Sequence, residues 1–167
     1  MKRILIVAGL FISTIAILTA CSEAGENQEK EKVKQETYNI GDTVSINGLE
    51  ITINSAKFVE LPEYALQPEN ERIIEIDVSV KNNKDEKQFV DNTQFELFDE
   101  EGNMLEQYYG LDKPLSGDLR TGKKITGKVY FDVNESNLYE LYYEPQKTSQ
   151  DNTEIKYELK ESEMEGK

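Results

Sequence analysis

Any chemistry in this sequence has to come from carboxylates, tyrosines and one thiol. The 167 residues hold 33 Asp and Glu against 19 Lys and Arg, with nine tyrosines, one cysteine and no histidine or tryptophan. Without imidazole there is no Ser-His-Asp or Cys-His apparatus and no histidine metal ligand. A single cysteine makes neither an intramolecular disulfide nor a thiolate zinc site. The patterns GxGxxG, GxxxxGK[ST], GxSxG and SxxK are all missing, which removes the familiar phosphate cradles and serine nucleophiles. Paired carboxylates remain, and Glu75 with Asp77, or Asp132 with an acid on a neighbouring strand, are the candidates for glycosidase-type acid/base work. Glu75 and Asp77 alternate with Ile76 and Val78, so they are expected on a solvated strand face where pKa shifts are small. No catalytic residue and no cofactor are therefore expected.

Two further groups of residues could bind rather than react. Asp99, Glu100, Glu101 and Asn103 surround Gly102, and oxygen ligands of this kind suit a weak calcium site. The segment lacks the D-x-D-x-D-G spacing and the distal Glu of an EF-hand, and a hairpin turn with a glycine at positive φ explains DEEGN equally well. Tyr108-Tyr109 and Tyr142-Tyr143 could present rings to a sugar or a protein. On a strand, one ring of each pair must face in and the other out. Tyr143 is assigned to the core edge, and Tyr108, Tyr109 and Tyr142 are the candidate contact residues.

The thiol, Cys21, follows a segment with the three parts of a secretory signal. Lys2 and Arg3 form a basic start, Ile4 to Leu18 an apolar run, and Leu18-Thr19-Ala20 leads into the cysteine. Fifteen helical residues reach only about 22 Å, less than the roughly 30 Å hydrocarbon core of a bilayer. LTAC resembles the bacterial lipobox, in which cleavage after Ala20 leaves Cys21 as a diacylglyceryl-modified N-terminus. The competing reading is a plain signal peptide that leaves a free thiol. Lipidation also removes an exposed thiol from an oxidising compartment. Without Lys2 and Arg3 the net charge falls from −14 to −16, which repels phosphate backbones and argues against nucleic acid as a partner.

The elements that must position these groups follow. Residues 21–37 comprise the cysteine and a Glu-, Lys- and Gln-rich stretch with one large apolar residue, Val33, the composition of a disordered tether. From residue 38 the period is two. Asn47-Gly48 separates TVSI from LEITI as a hairpin, and a phase slip at Asn54-Ser55 marks a bulge. Ile74, Ile76, Val78 and Val80 share one face, as do Ile125, Gly127, Val129, Phe131 and Val133. Runs at 93–98 and 104–109 flank DEEGN, and shorter ones lie at 139–143 and 155–159. About eight strands with no amphipathic helix read as an all-β antiparallel sandwich over 38–160, followed by a polar tail at 161–167.

In order, GDTVSINGLEITINSA, ERIIEIDVSVKNN, FELFDEEGNML, TGKKITGKVYFDV and YELYYEP resemble a family of bacterial surface lipoprotein domains with an immunoglobulin-like fold and no assigned function. The resemblance covers about residues 38–160. It implies an immunoglobulin-like sandwich on the extracytoplasmic face of a Gram-positive-type cell membrane, held there by the lipid on Cys21. It carries over no active-site residue. The expectation is a non-enzymatic module that binds a protein or envelope component. A small-ligand or cation-binding accessory lipoprotein is the first alternative, and an envelope-polymer hydrolase the second.

Overall fold

The computed structural model describes residues 36–70, 72–111, 114–145 and 154–164. The expected signal peptide, the cleavage site after Ala20, the lipid-bearing Cys21 and the linker up to residue 35 lie outside the described residues, as does the tail from 165 onward.

Each alternating run becomes a strand. Asn47 and Gly48 take φ of 48° and 75° at the corner between β2 (Thr43–Ile46) and β3 (Leu49–Val59), the pair of positive values a type I′ hairpin requires. The phase slip is a bulge: pairing of β3 with β4 (Arg72–Asn82) steps between Ile53 and Ser55. Asn54, omitted from the ladder, donates its side-chain amide to Asp77 and to Ser79 Oγ. On its other side β4 pairs with β9 (Lys124–Val133), so one sheet runs β2, β3, β4, β9.

The second sheet holds β1 (Thr37–Tyr38), β11 (Ile155–Lys160), β10 (Leu138–Tyr143) and β6 (Phe95–Asp99), with β1 parallel to β11 and the others antiparallel. One strand belongs to both sheets. In β7 (Met104–Gln107), Met104 and Leu105 pair with Phe98 and Leu97 of β6, whereas Glu106 and Gln107 pair with Asp132 and Phe131 of β9. A short ribbon of β5 (Gln88–Asp91) and β8 (Ser116–Leu119) completes the set. β1, β5 and β8 are additions to the eight runs legible in sequence.

The layers meet over a continuous apolar core. Ile51, Ile74, Ile76, Val78, Val80, Val129, Phe131 and Val133 of one sheet face Phe95, Leu97, Tyr139, Leu141, Tyr143, Tyr157 and Leu159 of the other. The Tyr157 hydroxyl crosses between the layers to donate to the Ile51 carbonyl at 3.0 Å, satisfying a buried polar atom that would otherwise be orphaned. Gly127 is needed where it stands. A Cβ there would lie 2.7 Å from the Leu115 Cα, and Leu115 N donates to the Lys128 carbonyl at 2.9 Å, closing that edge of β9.

Two expectations change. The outer face of the β4–β9 pair is not fully solvated: Glu75, Ser79, Tyr130 and Asp132 are all buried. Glu75 is covered by Lys57 and Lys128 and Ser79 by Asn54 and Thr126, whereas Tyr130 and Asp132 are covered by the long β3–β4 connection, which folds back over that part of the face. Asp132 accepts from Glu69 N at 2.6 Å and Asn70 N at 3.1 Å, and Ile73, Tyr108 and Tyr130 pack as a second small core beside Leu61 and Leu111. The segment after β11 is also not all polar tail: Glu161–Glu163 form a 3₁₀ turn and Met164 is buried in the main core.

Candidate interaction surface

Of the exposed large apolar side chains, Leu66, Met104 and Tyr109 stand near the point where the chain changes sheets, whereas Tyr64 and Phe89 are exposed elsewhere. Leaving β6, β7 needs a replacement for the lost ladder, and Gln107 supplies it. Its Nε2 donates to the carbonyls of Asn92 (2.9 Å) and Phe95 (2.8 Å), while its Oε1 accepts from Asn92 Nδ2 (2.8 Å) and the Tyr109 hydroxyl (3.1 Å). All four hydrogen-bonding capacities of the amide are used, which holds the crossover rigidly.

Tyr109 stands on this crossover, 68% exposed, between two hollows. One, of 490 Å³, has Leu66, Asn70, Glu106 and Asp132 among its lining, and the other, of 240 Å³, has Thr93, Glu96, Met104 and Glu106. Leu66 is 72% and Met104 64% exposed. Met104 lies directly opposite Phe98, whose ring meets Tyr142 edge-on at 5.5 Å between centroids. A third hollow, of 360 Å³, lies over Phe98 and Tyr142 between Glu96 and Glu140. The result is a continuous band from Leu66 through Tyr109, Met104 and Phe98 to Tyr142, with the exposed carboxylates of Glu96 and Glu106 beside it. Aromatic and methionine side chains of this kind supply contact area on recognition surfaces.

The three candidate contact tyrosines therefore separate. Tyr109 is exposed, Tyr142 is half-buried in the band, and Tyr108 is not a surface residue. The Tyr108 ring is 8% exposed and its hydroxyl donates to the Leu66 carbonyl at 2.6 Å. The β3–β4 connection covers it, so it positions Leu66 instead of contacting a partner. Tyr143 lies in the core against Phe95, 4.9 Å between ring centroids, as expected. Burial raises the Tyr142 hydroxyl pKa, and its bond to Glu140 adds to the effect. Burial would lower the Lys156 ammonium, but Glu140 and Tyr142 beside it outweigh that and hold it above its ordinary value.

The candidate chemistry elsewhere resolves into structural roles. Burial pushes the Glu75 carboxyl up, but Lys128 at 2.6 Å and Lys57 at 3.3 Å outweigh it and hold the pKa below the usual carboxylate value. A general acid needs the opposite shift. Asp77 is occupied by Asn54, and Asp132 by two backbone amides. In the DEEGN segment, Asp99 accepts from Glu101 N (3.0 Å), Asn103 N (2.8 Å) and Asn103 Nδ2 (2.9 Å), with Gly102 at φ 84°. Slight burial raises its pKa, but these donors prevail and lower it. Asp99 thus organises the hairpin through local side-chain-to-backbone bonds. Among the described residues, no three Asp, Glu or Cys side chains converge on a common point.

Leu66, Glu96, Phe98, Met104 and Glu106 were not singled out from sequence. Phe98 and Met104 could have been, because counting outward from the DEEGN turn sets them opposite each other. Leu66 carried no such signal, since its place depends on contacts with Tyr108 far along the chain.

Among solved structures, the chain resembles ycdA, a candidate lipoprotein of Bacillus subtilis, at TM-score 0.62 and 18% identity, over 71% of this chain. It spans only 38% of the length of that protein. The yjhA protein of Bacillus subtilis matches at TM-score 0.59 and 18% identity, over 73% of this chain and 98% of its own. The secreted protein MPT63 of Mycobacterium tuberculosis matches at TM-score 0.52 and 15% identity, over 76% and 99%. These likenesses establish the shared fold. No curated protein matches the chain. The family model for a domain of unknown function, DUF4352, matches residues 38–155, and the chain belongs to that family.

Proposed function

We propose that this protein is a lipid-anchored, extracytoplasmic, non-enzymatic immunoglobulin-like module that binds a protein partner through the band around Tyr109. Cleavage after Ala20 and acylation of Cys21 tie it to the outer face of the cell membrane. The anchor reading rests on the basic start, apolar run and LTAC of the sequence. The descriptions of two similar proteins, one a candidate lipoprotein and one secreted, agree with an extracytoplasmic location.

The observation that carries the binding reading is the strong exposure of Tyr109 and Met104 on a crossover whose geometry the Gln107 amide locks, with exposed Leu66 of the β3–β4 connection sharing a hollow with Tyr109. Large exposed side chains on a rigid support lose little conformational entropy on binding. Glu96 and Glu106 beside them favour a partner surface that presents basic groups. The experiment compares the wild type with a Tyr109→Ser/Met104→Ser variant and with Cys21→Ala, each recovered from cells after crosslinking. The surface variant should stay in the membrane fraction and lose the crosslinked partner while keeping the wild-type circular dichroism spectrum. Cys21→Ala should leave the membrane fraction or remain uncleaved. Retention of the partner by the surface variant overturns the binding reading, and normal processing with membrane retention of Cys21→Ala overturns the anchor.

A further inference from the structure

The two ends of the sandwich differ in charge, and the chain enters at only one of them. The connections at 60–70, 99–103, 134–137 and 161–163 lie at one end and contain nine carboxylates with no lysine or arginine. The opposite end is built by the Asn47-Gly48 hairpin, the β4–β5 segment and the β8–β9 turn. These interlock: Asn83 N donates to the Gly48 carbonyl at 2.8 Å, Asn82 N to the Lys123 carbonyl at 2.9 Å, and Gly122 N to the Asn82 carbonyl at 2.7 Å. Here stand Lys81, Lys84, Lys87, Arg120, Lys123 and Lys124. Lys81 is paired with Glu50 and Lys87 with Asp118. Arg120, Lys123 and Lys124 are exposed and hold no ion pair among the described residues. Asp85, Glu86, Glu144 and Glu154 belong to the same end, so it is near neutral overall, with its positive charge concentrated in one turn.

The N-terminal segment joins the fold at this end. Thr37 pairs with Lys156 near the start of β11, and β10 finishes beside it at Tyr143, opposite Ile155. Only residues 22–36 separate Cys21 from β1, a length that as flexible chain averages roughly 20–25 Å. We infer that the Arg120–Lys124 turn docks on anionic phospholipid headgroups of the membrane that holds the anchor, with the carboxylate-rich end directed away. This rests on the lipid anchor proposed above. Charge complementarity fixes the polarity: the anionic surface attracts the basic turn and repels the opposite end, over a screening length of about 8 Å at physiological salt.

The test uses the full lipidated protein in vesicles of phosphatidylcholine alone or mixed with phosphatidylglycerol. Acylation consumes the native thiol, so a single new cysteine, Thr121→Cys or Glu101→Cys, takes a fluorophore quenched by a headgroup-linked quencher. Quenching at position 121 should be several-fold stronger in the phosphatidylglycerol vesicles, and position 101 should stay unquenched in both. The excess at 121 should vanish in about 0.5 M salt, where screening is strong, and in an Arg120→Gln/Lys123→Gln/Lys124→Gln variant of unchanged melting temperature. Equal quenching in both vesicle types, or an excess that survives the triple substitution, overturns this inference while flotation with the vesicles upholds the anchor. Failure to float with either vesicle type overturns the anchor, and this inference with it.

Discussion

Asp132→Asn isolates what holds the β3–β4 connection, and with it Leu66, against the body of the domain. Each carboxylate oxygen of Asp132 accepts one backbone amide, Glu69 N on Oδ2 at 2.6 Å and Asn70 N on Oδ1 at 3.1 Å, in a site 5% exposed. Asparagine keeps one acceptor and turns an NH₂ toward the other amide. One charge-assisted bond is lost and the second becomes neutral. Hydrogen bonds to charged groups contribute about 1.5–3 kcal/mol, so the loss should be about 2–3 kcal/mol. For a domain of this size that is a fall in Tm of about 5–10 °C. Tyr108→Phe removes only a neutral bond, to the Leu66 carbonyl, and should cost about 1 kcal/mol. Both groups secure one connection, so the double variant should be non-additive. Thermal unfolding by circular dichroism and limited proteolysis within residues 60–70 read the two effects. If Asp132→Asn costs no more than Tyr108→Phe and leaves cleavage unchanged, the carboxylate does not strap the connection.

Further substitutions test the rest of the framework. Phe131, 1% exposed, should lose about 3–5 kcal/mol on change to Ala. Tyr130→Ala should also be clearly destabilising, because Tyr130 packs with Ile73 and Tyr108; a neutral result in urea unfolding would remove the second core. Gly127→Ala places a methyl group against the Leu115 backbone and should lower Tm by several degrees, whereas the same change at Thr126 on the exposed side should be tolerated. For Glu75, a folded pKa below the unfolded value means that its contribution is present above about pH 4.5 and is lost as pH falls through the folded pKa. Glu75→Gln should therefore destabilise at pH 7 and lose most of its penalty in acid; a penalty independent of pH would contradict the ion pairs with Lys57 and Lys128.

What was legible in sequence is what local pattern determines. Asn47-Gly48, the slip at Asn54 and the inward faces of β4, β9, β10 and β11 all depend on neighbours within a few positions, and each stands where period-two reading puts it. The rest depends on partners distant in sequence. β1 is two residues long and owes its existence to β11, and QFVD and SGDL show no alternation because β5 and β8 form a ribbon outside the main sheets. MLEQYY reads as a single strand, and nothing local shows that it pairs with β6 and then with β9. Tyr130 and Asp132 occupy the phase opposite the Ile125–Val133 inner face; they and Tyr108 are buried because the Pro-containing β3–β4 connection folds over them. The candidate contact surface is half-legible for the same reason: a tyrosine pair on a strand guarantees one outward ring, but which ring reaches solvent is decided by that cover.

The band from Leu66 through Tyr109 and Met104 to Tyr142 is the face proposed to meet a partner. Its most direct measurement is photocrosslinking in intact cells, with a benzophenone side chain at position 104 or 109 and, as control, at Thr52 on the β2–β3 side of the other sheet. Positions 104 and 109 should give one shared, discrete adduct that is missing at 52. Adducts of equal yield at all three positions, or none at 104 and 109, would contradict that proposal.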